Sequence, residues 1–120
     1  MSNKNKHYKL INAQVQALIS DESDMIANMA NIAAVLFNNV EQINWDCFYV
    51  FKQEQLVLGL FQGQPACVRI PMCKGVCGTS AATRETVIVD NVHEFAGHIA
   101  CDVASNSEIV IPIVFNQQLI

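Results

Sequence analysis

The hydrophobic period of the chain changes at Ile43, and that change limits what the chain can fold into. Before it, Tyr8, Ile11, Val15, Leu18 and Ile19 recur at helical spacing and predict an amphipathic helix over about residues 7–19. Ser20-Asp21-Glu22-Ser23 breaks the pattern. Ser23 is the expected N-cap of a second helix, with Asp24 at the positive end of its dipole. Met25, Ile26, Met29, Ile32, Ala33, Leu36 and Phe37 mark the buried face of that helix, and Asn38-Asn39 ends it. From Ile43 the period is two. Ile43, Trp45, Cys47, Tyr49 and Phe51 alternate with Asn44, Asp46, Phe48 and Val50, which predicts a strand with large groups on both faces.

Turns then punctuate the chain at short intervals. Lys52-Gln53-Glu54-Gln55 turns the first strand into a second, Leu56 to Phe61. Gln62-Gly63-Gln64-Pro65 turns that into a third, Ala66 to Ile70, which Pro71 closes. Three successive strands joined by short turns imply an antiparallel meander. Lys74 to Thr79 reads as a glycine-flanked loop that leads into a short helix, about residues 79–84, and Thr86 to Asp90 as a short strand. Residues 91–106 lack any period, and a long irregular stretch inside a domain is usually functional. Ile109 to Phe115 is an apolar strand in which Pro112 warns of an edge or bulge. Asn116-Gln117 makes a hairpin turn into Leu119-Ile120. The expected architecture is α+β: one antiparallel sheet, helices packed on one face and long loops on the other.

A chain of 120 residues, 52% apolar, suits a single domain with one core. Its net charge of −4 provides no basic footprint for nucleic acid or a membrane surface. No apolar run is long enough to span a bilayer. A cytoplasmic protein is expected. Five cysteines are many for that compartment, where thiols are kept reduced, so they read as packing residues, metal ligands or redox thiols.

Cys101 stands in Gly97-His98-Ile99-Ala100-Cys101-Asp102, within the irregular stretch, and is the candidate reactive thiol. Cys67 and Cys77 lie upstream beside turns and glycines and are candidates to resolve it. Cys47 falls on the apolar face of the first strand and reads as packing, Cys73 as a loop residue. Zinc is the sharpest rival reading for Cys67, Cys73, Cys77, His93, His98 and Cys101. The spacing of Cys73 and Cys77 suits zinc, yet no tight second pair follows, so no metal is expected.

Gln62-Gly63-Gln64-Pro65-Ala66-Cys67-Val68-Arg69-Ile70-Pro71, the loop Gly75-Val76-Cys77-Gly78-Thr79, and Gly97 to Asp102 with Ser105-Asn106-Ser107-Glu108-Ile109-Val110 resemble the free methionine-(R)-sulfoxide reductases. Asn44-Trp45 and Phe48-Tyr49 match as well. These are single GAF-domain enzymes that reduce the free amino acid. The resemblance runs from about Tyr8 to the last residue. It implies that Cys101 attacks the sulfoxide and that Cys67, Cys77 or both resolve the intermediate, with Cys67 preferred. It implies that Glu108 binds and protonates the sulfoxide oxygen, and that Trp45 and Tyr49 enclose the substrate methyl group. It further implies thioredoxin as reductant, a homodimer, and no cofactor. The family carries two more aspartates in a strand after the final hairpin, and then a C-terminal helix. The expectation for residues 1–120 is therefore one GAF domain without its last strand and helix. Two other functions compete: a GAF domain that binds a small molecule without chemistry, and an inactive fragment. Three thiols in matching contexts favour the enzyme.

Overall fold

The computed structural model describes residues 3–92, 107–115 and 118–120. They fall into two compact units, Met1–Phe48 with Leu60–Gly63, and Tyr49–Gly59 with Gln64–Ile120.

The first unit is led by a helical pair, α1 (Asn3–Ile19) packed on α2 (Met25–Asn39). Helix α1 starts about a turn earlier than its apolar stripe predicts. Asn3 to Lys6 carries no hydrophobic residue, and an exposed polar turn is invisible to periodicity. Ile11 of α1 and Met29 and Ala33 of α2 are buried. The cap of α2 is Asp24, not Ser23. Asp24 is extended (φ −72°, ψ 121°), and its Oδ1 accepts from the Ala27 amide at 2.8 Å. The Asp24 amide in turn donates to the Glu22 carboxylate at 3.0 Å, so a second acid fixes the entry angle. At the other end His7 Nε2 donates to the Asn39 carbonyl, tying the start of α1 to the close of α2.

Strands β1 (Asp46–Lys52), β2 (Gln55–Gln62) and β3 (Arg69–Pro71) form a sheet of order β1-β2-β3, the expected meander. The turn between β1 and β2 is two residues, Gln53 and Glu54, both left-handed (φ 52° and 63°). That backbone matches the twist of an antiparallel hairpin. β2 and β3 pair antiparallel with Leu56 opposite Ile70, and the Leu58 amide extends the pairing to the Val68 carbonyl at 2.7 Å.

Two boundaries shift in ways that matter for the site. β1 begins at Asp46, so Ile43, Asn44 and Trp45 precede the ladder. β3 begins at Arg69, so Cys67 lies in the segment before it and not within a strand.

Helix α3 (Gly75–Thr83) starts four residues before the predicted Thr79 and takes in Cys77. It packs on β3 and on a second ladder, β4 (Val87–Val89) antiparallel to β5 (Glu108–Val110). The apolar run after β5 is interrupted at Ile111 to Ile113. Pro112, lacking an amide hydrogen, sits at the centre of the gap. β6 (Val114–Phe115) then pairs with β7 (Gln118–Leu119) in a third ladder. The core of the second unit is Leu56, Ile70 and Ala81. Tyr49, Phe51, Cys67, Met72, Cys77 and Leu119 pack against it.

Candidate functional site

Of the five expected site residues that are described, four belong to the second unit: Tyr49, Cys67, Cys77 and Glu108. Cys67 is half-buried, packs on the Leu56-Ile70-Ala81 core and is disulfide-bonded. None of the other described cysteines is its partner: Cys47 carries a reduced thiol, and Cys73 and Cys77 are free. Tyr49, from β1, donates its hydroxyl hydrogen to the Cys67 carbonyl at 2.8 Å. The segment that bears this thiol is thus fixed from one side by a strand residue.

Cys77 lies in α3, turned toward the same core. Its position is set by a tight crossing. A Cβ on Gly78 would come within 2.6 Å of the Pro71 carbonyl oxygen, so only glycine lets α3 lie this close to the end of β3. The Cys73 amide bonds the Gly78 carbonyl at 3.0 Å across the same turn. Burial pushes the Cys77 thiol up to about 12, with the negative charge of Glu108 adding to the shift. Over the physiological range that shift favours the neutral thiol. Glu108 opens β5, opposite Val89, and is half-buried. A half-buried thiol and a carboxylate whose charge disfavours ionisation of that thiol therefore sit where α3 meets β5.

Trp45 belongs to the first unit. It is half-buried and lies 6.1 Å from Phe61, centroid to centroid, with the rings tilted by 32°. Gly63 lies at its edge: a Cβ there would stand 2.6 Å from indole Cδ1. Asp46 follows Trp45 in sequence. Its Oδ1 is buried without a hydrogen-bond partner among the described residues, and burial raises its carboxyl from 3.8 to about 6. The periodic reading of the sequence singled out neither Gly63 nor Asp46. Gly63 read only as a turn residue and Asp46 only as the far face of a strand.

Cys101 and His98 lie outside the described residues, as does His93. Among the described residues, no three His, Cys, Asp or Glu side chains converge in a way that would hold a metal ion. Among them too, no helix is long and apolar enough to cross a membrane. Cys73 is exposed with a left-handed backbone (φ 66°), as befits a loop residue.

No protein-family model matches the chain. It is 48% identical over 118 residues to the free methionine-R-sulfoxide reductase of Escherichia coli, which covers 98% of this chain and 72% of the relative. A putative GAF sensor protein from Burkholderia vietnamiensis superposes with a TM-score of 0.95 at 49% identity, over 99% of this chain and 76% of that one. The free methionine-R-sulfoxide reductase of Neisseria meningitidis, solved in complex with its substrate, superposes with a TM-score of 0.94 at 40% identity, over 99% of this chain and 72% of that one.

Proposed function

The chain belongs to the free methionine-R-sulfoxide reductases, with their GAF-type α+β fold, and we propose that it reduces free methionine-(R)-sulfoxide to methionine by thiol chemistry. The observation that carries the mechanism is the disulfide at Cys67, in a unit where Cys77 stays a neutral thiol.

The proposed sequence balances as follows. The Cys101 thiolate attacks the sulfoxide sulfur while Glu108, in its protonated form, delivers a proton to the oxygen and becomes a carboxylate. Methionine leaves with two more electrons than the sulfoxide held, and Cys101 keeps the oxygen as a sulfenic acid. The Cys67 sulfur displaces that hydroxyl. Water leaves, and a Cys67–Cys101 disulfide forms. A dithiol reductant, thioredoxin in this reading, restores both thiols by exchange. Cys67 is preferred over Cys77 as the resolving thiol because a thiol pushed to about 12 is a poor attacking group at neutral pH. Trp45 and Tyr49 keep the roles that the resemblance implies, enclosing the methyl group and polarised sulfur. A single GAF domain, a homodimer and a cytoplasmic location complete the reading.

Incubation with methionine-(R)-sulfoxide and dithiothreitol tests it. Methionine release is expected from the (R) epimer, and a chain first reduced and then freed of reductant is expected to lose two thiols per equivalent of sulfoxide. Full activity in Cys101→Ser would overturn the mechanism. Absence of turnover in this chain and in a C-terminally extended version would overturn the activity and favour a binding role.

A further inference from the structure

We infer that Gly63 is a positioning residue that sets the orientation of the Trp45 indole. It thereby determines how tightly substrate is held, an inference that rests on the reading of Trp45 as part of the substrate wall.

Trp45 stands one residue before β1. A side chain just outside a strand takes its direction from what packs on it. Phe61 and Gly63, at the end of β2 and just past it, fill that role. The Phe61 ring lies 6.1 Å away, and the Gly63 backbone abuts the edge of the indole.

The position admits no side chain. A Cβ on residue 63 would stand 2.6 Å from indole Cδ1 and 3.3 Å from indole Cγ, and 2.9 Å from the Asn44 carbonyl oxygen. Real Cβ atoms do not tolerate the first distance, so the indole would have to swing away. The backbone there is also left-handed (φ 118°), open to glycine and strained for any other residue. The two constraints are separable. Backbone strain lowers stability whatever stands at position 45, whereas displacement of the ring acts on substrate only through Trp45.

Trp45 is the one tryptophan of the sequence, so intrinsic fluorescence reports on this ring alone. Gly63→Ala is expected to shift the emission and to raise KM for methionine-(R)-sulfoxide about tenfold while kcat stays within about twofold, the pattern of lost uniform binding. In a Trp45→Ala background the same change should lower the melting temperature but leave KM where Trp45→Ala alone puts it. Gly63→Asn carries the same Cβ on a residue that tolerates positive φ better, and serves if Gly63→Ala does not fold. If Trp45→Ala raises KM and neither Gly63 variant does, this inference falls and the substrate role of Trp45 stands. If Trp45→Ala leaves KM unchanged, that role falls and takes the inference with it.

Discussion

The hydroxyl of Tyr49 donates a hydrogen bond to the main-chain carbonyl of Cys67, 2.8 Å away, so an aromatic residue expected to line the substrate also holds the backbone of a disulfide-bonded cysteine. Tyr49→Phe keeps the ring and removes this bond. A half-buried hydrogen bond is worth about 1 kcal/mol, so a fall of roughly 4 °C in melting temperature is expected. In the chain reduced beforehand, the rate of thiol loss after one equivalent of sulfoxide should fall more than the affinity for sulfoxide. Stopped-flow thiol titration separates the two, and an effect on affinity alone would contradict the tether.

The Cys77 thiol provides a pH test. Its ordinary value of 9.0 is raised to about 12, first by burial and then by the charge of Glu108. A folded-state value above the unfolded one means that the folded protein holds the proton more tightly. This contribution to stability is fully present below pH 9 and is lost as pH rises toward 12, at about 1.4 kcal/mol per pH unit. Alkaline melts should show that decline in the native chain and a shallower one in Cys77→Ala. Iodoacetamide at pH 8, read by mass spectrometry, should mark exposed Cys73 well before Cys77. Glu108→Gln should bring the onset of Cys77 alkylation to lower pH, because one of the two causes of its shift is gone.

Asp46 behaves as the acidic counterpart. Burial lifts its carboxyl from 3.8 to about 6, and its Oδ1 has no hydrogen-bond partner among the described residues. The folded state prefers the protonated form, so this group favours folding below pH 4 and does so less and less as pH rises through 6. Asp46→Asn removes the charge at similar size. Its melting temperature should exceed that of the native chain at pH 7.5, and the gap should close at pH 4. An equal gap at both values would point to some other cause.

Gly78 sets two effects against each other. Alanine is a better helix former than glycine by about 1 kcal/mol, so helix propensity alone makes Gly78→Ala stabilising. The new Cβ would stand 2.6 Å from the Pro71 carbonyl oxygen, a backbone atom with little room to yield. Overpacking of that kind costs about 1–3 kcal/mol and should win. Chemical denaturation should show a lower midpoint for Gly78→Ala; a higher one would mean that α3 can shift freely against the end of β3.

The sequence was most legible where one element carries its own pattern. The apolar stripes of α1 and α2 and the polar turns of the meander mark those elements without help from the rest of the chain. It was least legible where a distant contact decides. Gly75-Val76-Cys77-Gly78 reads as a loop because its glycines weaken any helix, yet α3 forms there, packed on β3, β4 and β5. Ser23 and Asp24 are equally good caps by type, and the bond from Asp24 to the Ala27 amide selects between them. Trp45 follows the alternation of β1 but precedes its ladder. Turns and glycines marked Cys67 and Cys77 as candidate thiols, but the role expected of Glu108 came from resemblance, since no local rule pairs a thiol on a helix with a carboxylate on a strand. Cys101 lies outside the described residues.

The turn between β1 and β2 holds an unused reserve. Gln53 and Glu54 are both exposed and both left-handed, a backbone that costs an ordinary residue roughly 1–2 kcal/mol. Asn-Gly at these positions would relieve much of that strain. It replaces none of the residues given a role in the chemistry. A chain so buttressed could absorb harmful changes elsewhere, which makes this hairpin the natural starting background for dissecting the reductase one side chain at a time.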